Sequence, residues 1–225
     1  NWITDPTEGA GQLAARVIVN RLWQHHFGRG LVATPSDFGF QGERPSNPQL
    51  LDMLARDLID HGWKLKRLHR AMMLSATYRQ STQFDETRAG IDRENTLLWR
   101  MTPKRLEAEP IRDSLLAISG QLDLTMFGPG TLDQNMNRRS VYFFIKRSQL
   151  VPMMMLFDWP EHLVSIGQRA NTTVAPQALM FLNSPQGRRY ASALAGRLQG
   201  ETGSKITQAY RLCYGRQPTV EESQI

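Results

Sequence analysis

The groups in this chain whose types could do chemistry are five histidines, the carboxylates and one thiol. Their spacing limits what that chemistry is. His25 and His26 are adjacent, so on a helix they point about 100° apart and share one metal ion poorly. A helical zinc site needs a His-x-x-x-His pair, and the sequence has none. No metal site is expected. Cys213 is the single cysteine, which rules out an intramolecular disulfide, a Cys-based zinc site and a Cys-x-x-Cys-His haem attachment. With Ile206 and Tyr210 it falls on one helix face, which predicts a buried, inert thiol. Nucleophile elbows and phosphate loops are absent. Asp37-Phe38-Gly39 matches a kinase tripeptide by chance, since no other kinase element accompanies it. Trp159, flanked by Asp158 and Glu161, is the indole to consider for ligand binding. Those two acids could form a carboxylate pair for glycosidic cleavage, with His162 beside them.

The elements that must position these groups read as helices. Leu13, Val17, Trp23 and Phe27 recur at helical spacing over residues 12–27, and Gly28 follows as the stop. Asn47 caps a second helix with Pro48 at its first position, and Leu50, Leu51, Leu54, Leu58 and Ile59 form its apolar stripe. A third runs over about 65–76. Residues 78–94 are polar and predict a loop, and Leu97, Leu98 and Trp99 a short buried segment. A fourth helix covers about 104–119, with Leu106, Ile111, Leu115 and Ile118 as its core face. Pro110 either kinks it or marks the true start with Glu109 as cap. Residues 140–147 carry Val141, Tyr142, Phe143, Phe144 and Ile145, the best strand candidate, apolar on both faces. The run of methionines at 153–155 fits core filling. Three more helices follow, opened near Pro176, Gln186 and Ser204, and Thr219 to Glu222 is a capping box. The expected fold is mainly α, an irregular multi-helix domain over residues 1–225 with one or two short strands.

Composition is ordinary for a folded chain: 40% hydrophobic and 21% charged residues, with a net charge of +6. No apolar run approaches the ~18 residues of a membrane helix, and residues 1–6 show no signal-peptide pattern. The basic clusters are Lys64/Lys66/Arg67/Arg70, Arg138/Arg139 and Lys146/Arg147. They favour acidic partners, an acidic polysaccharide before a nucleic acid, since no nucleic-acid motif accompanies them. Both ends read as cuts through a longer polypeptide.

Several long runs resemble one family. They include Asn20-Arg21-Leu22-Trp23-Gln24-His25-His26-Phe27-Gly28, Thr34-Pro35-Ser36-Asp37-Phe38-Gly39, Gly62-Trp63-Lys64-Leu65-Lys66-Arg67-Leu68-His69-Arg70, and Leu74-Ser75-Ala76-Thr77-Tyr78-Arg79-Gln80-Ser81. Arg105-Leu106-Glu107-Ala108-Glu109, Arg139-Ser140-Val141-Tyr142 and Thr172-Thr173-Val174-Ala175-Pro176-Gln177-Ala178-Leu179 continue the match. Together they resemble domain of unknown function 1553, the planctomycete cytochrome-associated C-terminal domain family. The resemblance implies an extracytoplasmic setting, periplasmic or secreted, in a large protein whose upstream domains include one carrying haem c. It implies no cofactor in this chain and no established activity. Within the resembling runs, His25, His26, Asp37, His69, Arg79, Glu107 and Glu109 are the candidates for a shared polar site. The family pattern before the second helix often reads Pro-Ser-His-Pro, where this chain has Asn47, and it usually lacks Pro110.

Three functions follow as expectations. The first is an interaction or scaffold domain whose polar residues form a buried network joining helices and loop. The second is an enzyme, polysaccharide-related or redox, with a site around His25, His26, Asp37 and His69. The third is polyanion binding through the basic clusters.

Overall fold

The computed structural model describes residues 2–161 and 163–224. His162 therefore lies outside the described residues. The chain is mainly α-helical and forms two compact units, Asn1–Lys104 with Ile166–Gln168, and Arg105–Ser165 with Arg169–Ile225.

In the first unit, α1 (Gly11–Phe27), α2 (Pro48–Asp60) and α3 (Leu65–Leu74) pack on one another. Ala15, Val19, Trp23 and Phe27 recur every fourth residue and are buried, so α1 lays one stripe into the core. Leu51, Leu54, Ala55 and Leu58 of α2 and Leu68 and Met72 of α3 meet it. The Asn47 side chain accepts the Leu50 N–H at 3.0 Å, and Pro48 occupies the first turn, as the residue types require. Asn20, fully buried on α1, joins the loop after the helix to the helix itself. Its amide donates to the Val32 carbonyl at 2.9 Å and accepts the Val32 N–H at 2.8 Å. That closure needs Gly30: a Cβ there would lie 2.5 Å from the Val32 oxygen and 2.7 Å from the Asn20 amide nitrogen.

Two expectations in this unit fail. Residues 78–94 are not all loop, because Asp85 caps a short helix, α4 (Glu86–Ile91), by accepting the Arg88 N–H. The segment at 95–100 buries Asn95, not Leu97, which is exposed. Asn95 sits at φ 53°, which its side chain tolerates, and donates to the Arg100 carbonyl and the Thr102 hydroxyl.

In the second unit, α5 (Ala108–Ser119) packs against α8 (Pro185–Arg197) and the short α6 (Pro152–Leu156), while α7 (Ala175–Asn183) packs on α8. The core holds Ala108, Phe143, Val151, Met154, Phe157 and Trp159, so the methionine run does fill core. α5 starts at Ala108 with Glu107 before it. Pro110 lies in its first turn, where a missing N–H goes unmissed, and the cap position is Glu107, not Glu109. The buried face of α5 is Ala108, Arg112, Leu116 and Ser119, not the expected stripe; Leu106 is exposed. Rotation of the helix brings a buried guanidinium to its centre, where three neighbouring acceptors receive it.

Residues 140–147 form no strand. Ser140–Tyr142 is a 3-10 turn, and Phe143 makes a single bridge to Thr131. The β-branched and aromatic types there predict a pleated, half-covered surface. Of these side chains Phe143 is buried and Tyr142 half-buried; Val141, Phe144 and Ile145 are exposed. α9 (Thr202–Tyr214) buries none of its residues, and Cys213 on it is exposed, against expectation. Ile206 and Tyr210, on the same face, are half-buried, while Cys213 near its end stays exposed. The capping box forms: the Glu222 carboxylate accepts the Thr219 N–H at 2.8 Å, and Thr219 Oγ1 accepts the Glu222 N–H.

Candidate functional site

The candidate residues fall into separate clusters, each within one unit. In the first unit, α1 and α3 bring His26 and His69 together, with Nε2 and Nδ1 2.8 Å apart. One ring donates and the other accepts, so the bond holds only while the accepting ring is neutral. Tyr78 meets the His26 ring edge-on, 5.6 Å between centroids. Burial, then the charges of His69, Lys104 and His25, hold the His26 imidazole below its ordinary value of 6.5. His25 is exposed, and its carbonyl accepts from the Lys104 ammonium. The Asp37 carboxylate accepts the Gly39 N–H at 2.8 Å, closing its own turn. Arg79 is exposed in the turn after α3. A working acid–base histidine is usually oriented by a carboxylate. Here the partner that orients His26 is another histidine.

The second unit assembles two linked ion-pair clusters. The Arg169 Nη1 donates to Glu107 Oε2 at 2.9 Å and to both Glu109 oxygens at 3.0 and 2.8 Å. The Trp159 indole N–H donates to Glu109 Oε1 at 2.8 Å. Burial pushes the Glu109 carboxyl up, but the Arg169 and Trp159 bonds outweigh it and hold it below the usual carboxylate range. The same carboxylates raise Arg169 against the opposing effect of its own burial.

Next to this, Asp158 sits at φ 63° and gathers the loop after it. Its carboxylate accepts the Thr172 N–H and hydroxyl, each at 2.8 Å, and a charged bond from Arg105. Burial raises the Asp158 carboxyl, and the Thr172 and Arg105 bonds lower it further than burial lifts it. Arg105 also donates to Asn171 Oδ1 at 3.2 Å, and Gln177 donates to the Leu156 and Thr172 carbonyls.

These contacts show what the arrangement can do chemically. Trp159 is buried with its polar edge committed to Glu109, so its ring offers no open stacking face. Asp158 is held ionised by its donors, which suits an anchor and not a general acid. Glu161 is exposed. Among the described residues, no three His, Cys, Asp or Glu side chains group as metal donors. Among the described residues, no helix is long and apolar enough to cross a membrane.

The basic clusters are partly spent inside the fold. Arg67 pairs with Asp57 at 3.0 Å. Arg138 lies 3.5 Å above the Tyr142 ring and donates to the carbonyls of Thr125, Phe127 and Pro129.

Sequence reasoning passed over Arg112, Asp113, Arg169 and Gln177. One signal was available: position 112 lies one turn from both Ala108 and Leu116, on the α5 face that proves to be buried.

The pH response follows from these groups. His26, lowered in the fold, contributes its full stability above about pH 6.5 and loses it as pH falls below that value. Glu109 and Asp158, also lowered, keep their contributions above about pH 4 and lose them as pH falls through their folded values. Thermal midpoints recorded from about pH 8 to about pH 3 fall in two stages. Replacing His26 with Phe removes the upper stage alone.

No curated protein matches the chain, and no solved structure matches it. A family model described as "PSD1: Protein of unknown function (DUF1553)" matches residues 1–225, so the chain belongs to that family.

Proposed function

We propose that this chain is an interaction domain, presenting an apolar loop pair to an upstream domain of the same polypeptide. The observation that carries the reading is the exposed pair of segments at 124–127 and 141–145. Phe127 is 79% and Val141 69% exposed, and Leu124, Met126, Phe144 and Ile145 lie open beside them. The two segments are held together. Phe127 donates its N–H to the Tyr142 hydroxyl at 2.7 Å, and Thr131 exchanges backbone bonds with Tyr142 and Phe144. Singly exposed apolar residues are ordinary, but apolar residues gathered on two segments bonded to each other favour a contact surface. The candidate polar groups support the same reading, since the carboxylates Glu107, Glu109, Asp37 and Asp158 are all bonded within the fold.

The setting we propose follows from the family resemblance: a large exported, periplasmic or secreted, planctomycete-type protein with a haem-c domain upstream. Haem belongs to that domain and not to this chain. Hydroxyl-radical footprinting of the full-length protein tests the reading with an internal control. Met126 and Met53 are 69% and 59% exposed in this chain. Oxidation of Met126 runs at least about fivefold slower than that of Met53 if a neighbouring domain covers the loop pair. Equal rates contradict the proposal.

A further inference from the structure

The second unit contains a cavity of about 270 Å³, below the ~300–1,000 Å³ of sites for drug-sized ligands. Most of its wall is apolar, including Phe143, Met153, Leu156 and Met180. Arg112 is the one charged side chain lining it, and it is 1% exposed. Its guanidinium lies 4.7 Å from the Phe143 ring centroid. Met136 O, Arg138 O and Ser140 Oγ accept from it, which leaves part of a five-donor group without an acceptor. Its nearest carboxylate, Asp113 at 3.6 Å, is shared with Arg139 and accepts from Ser140.

Gln186 of α8 lines the cavity, and Arg189 and Tyr190, which stand behind its wall, follow Gln186 by three and four residues. Arg189 Nε and Nη2 and the Tyr190 hydroxyl are buried without a hydrogen-bond partner among the described residues. Both side chains lie close enough to Arg112 to act on its charge, and burial pushes that guanidinium down. A buried guanidinium with one shared carboxylate and unmet donors nearby leaves this region short of negative charge.

We propose that this cavity binds a small carboxylate with an apolar body, its head against Arg112 and its chain along the methionine-rich wall. An inorganic anion would supply the charge but leave that wall uncovered. A neutral alcohol would cover the wall but leave the donors unmet. Methionine side chains suit a binder that accepts several chain shapes. The inference stands apart from the interaction surface, which uses different side chains.

Calorimetric titration of the chain with octanoate, hexanoate, 1-octanol and inorganic phosphate tests it. Octanoate binds with a Kd on the order of 0.1–1 mM, at least about tenfold tighter than octanol. Each methylene adds about fourfold, so hexanoate binds roughly fifteenfold more weakly. Phosphate does not bind measurably. Met153→Trp fills the cavity and abolishes octanoate binding while keeping the wild-type melting midpoint. Equal affinities for octanoate and octanol, phosphate binding as tightly as octanoate, or unchanged binding in a folded Met153→Trp would each overturn the proposal.

Discussion

Arg112→Ala lowers the unfolding free energy by about 3–5 kcal/mol, the range for removing one member of a buried charged network. The residue is 1% exposed, so its loss is not screened by solvent. Three acceptors then lose their donor inside the fold: the Met136 and Arg138 carbonyls and the Ser140 hydroxyl. Each stranded acceptor costs roughly 1–3 kcal/mol, and the Phe143 ring loses the cation packed on it. At about 2–4 °C per kcal/mol, the melting midpoint falls by on the order of 10 °C. Arg112→Lys does not restore it, because an ammonium cannot span acceptors arranged for a planar fork. Chemical denaturation with the slope monitored checks the value and shows whether the second unit unfolds alone.

Asn20→Ala has the next largest effect, a loss of about 2–4 kcal/mol. A single buried amide satisfies both the N–H and the carbonyl of Val32, which is itself 3% exposed. Alanine strands both groups and opens a void beside Val19 and Trp23. Asn20→Asp does not rescue. It keeps the acceptor for the Val32 N–H but turns a repulsive oxygen towards the carbonyl and buries a charge. Equilibrium denaturation of both variants measures the loss. A cost under about 0.5 kcal/mol for alanine would mean that water replaces the amide.

These two residues also mark how far the sequence can be read. The helices of the first unit follow from local rules: a four-residue apolar repeat in α1, and an asparagine cap before a proline in α2. Such signals lie within a few residues of each other and need no knowledge of the rest of the chain. The errors arise where a distant segment decides. Residues 140–147 have the side chains of a strand, but no partner pairs with them beyond one bridge to Thr131. α5 turns Arg112 inward because carbonyls 24 and 26 residues further on receive it, which no helical repeat reveals. Cys213 shares a face with the half-buried Ile206 and Tyr210, yet its own burial depends on what packs at the end of α9, and it stays exposed.

The polar site was legible as a set of residues and not as an arrangement. Glu107 and Glu109 do meet each other through one guanidinium, but that guanidinium is Arg169, about 60 residues away in sequence. His26 and His69 pair, while Asp37 turns to its own loop.

We propose that these polar side chains serve to hold segments in place. Residues retained for catalysis commonly cost stability, so their removal leaves a protein equally or more stable. The most direct measurement is the unfolding midpoint of Asp158→Ala and Glu109→Ala at about pH 7. Both midpoints fall, Asp158→Ala further, because the Thr172 N–H, the Thr172 hydroxyl and Arg105 lose one shared acceptor. A midpoint that stays level or rises in either variant would contradict the claim.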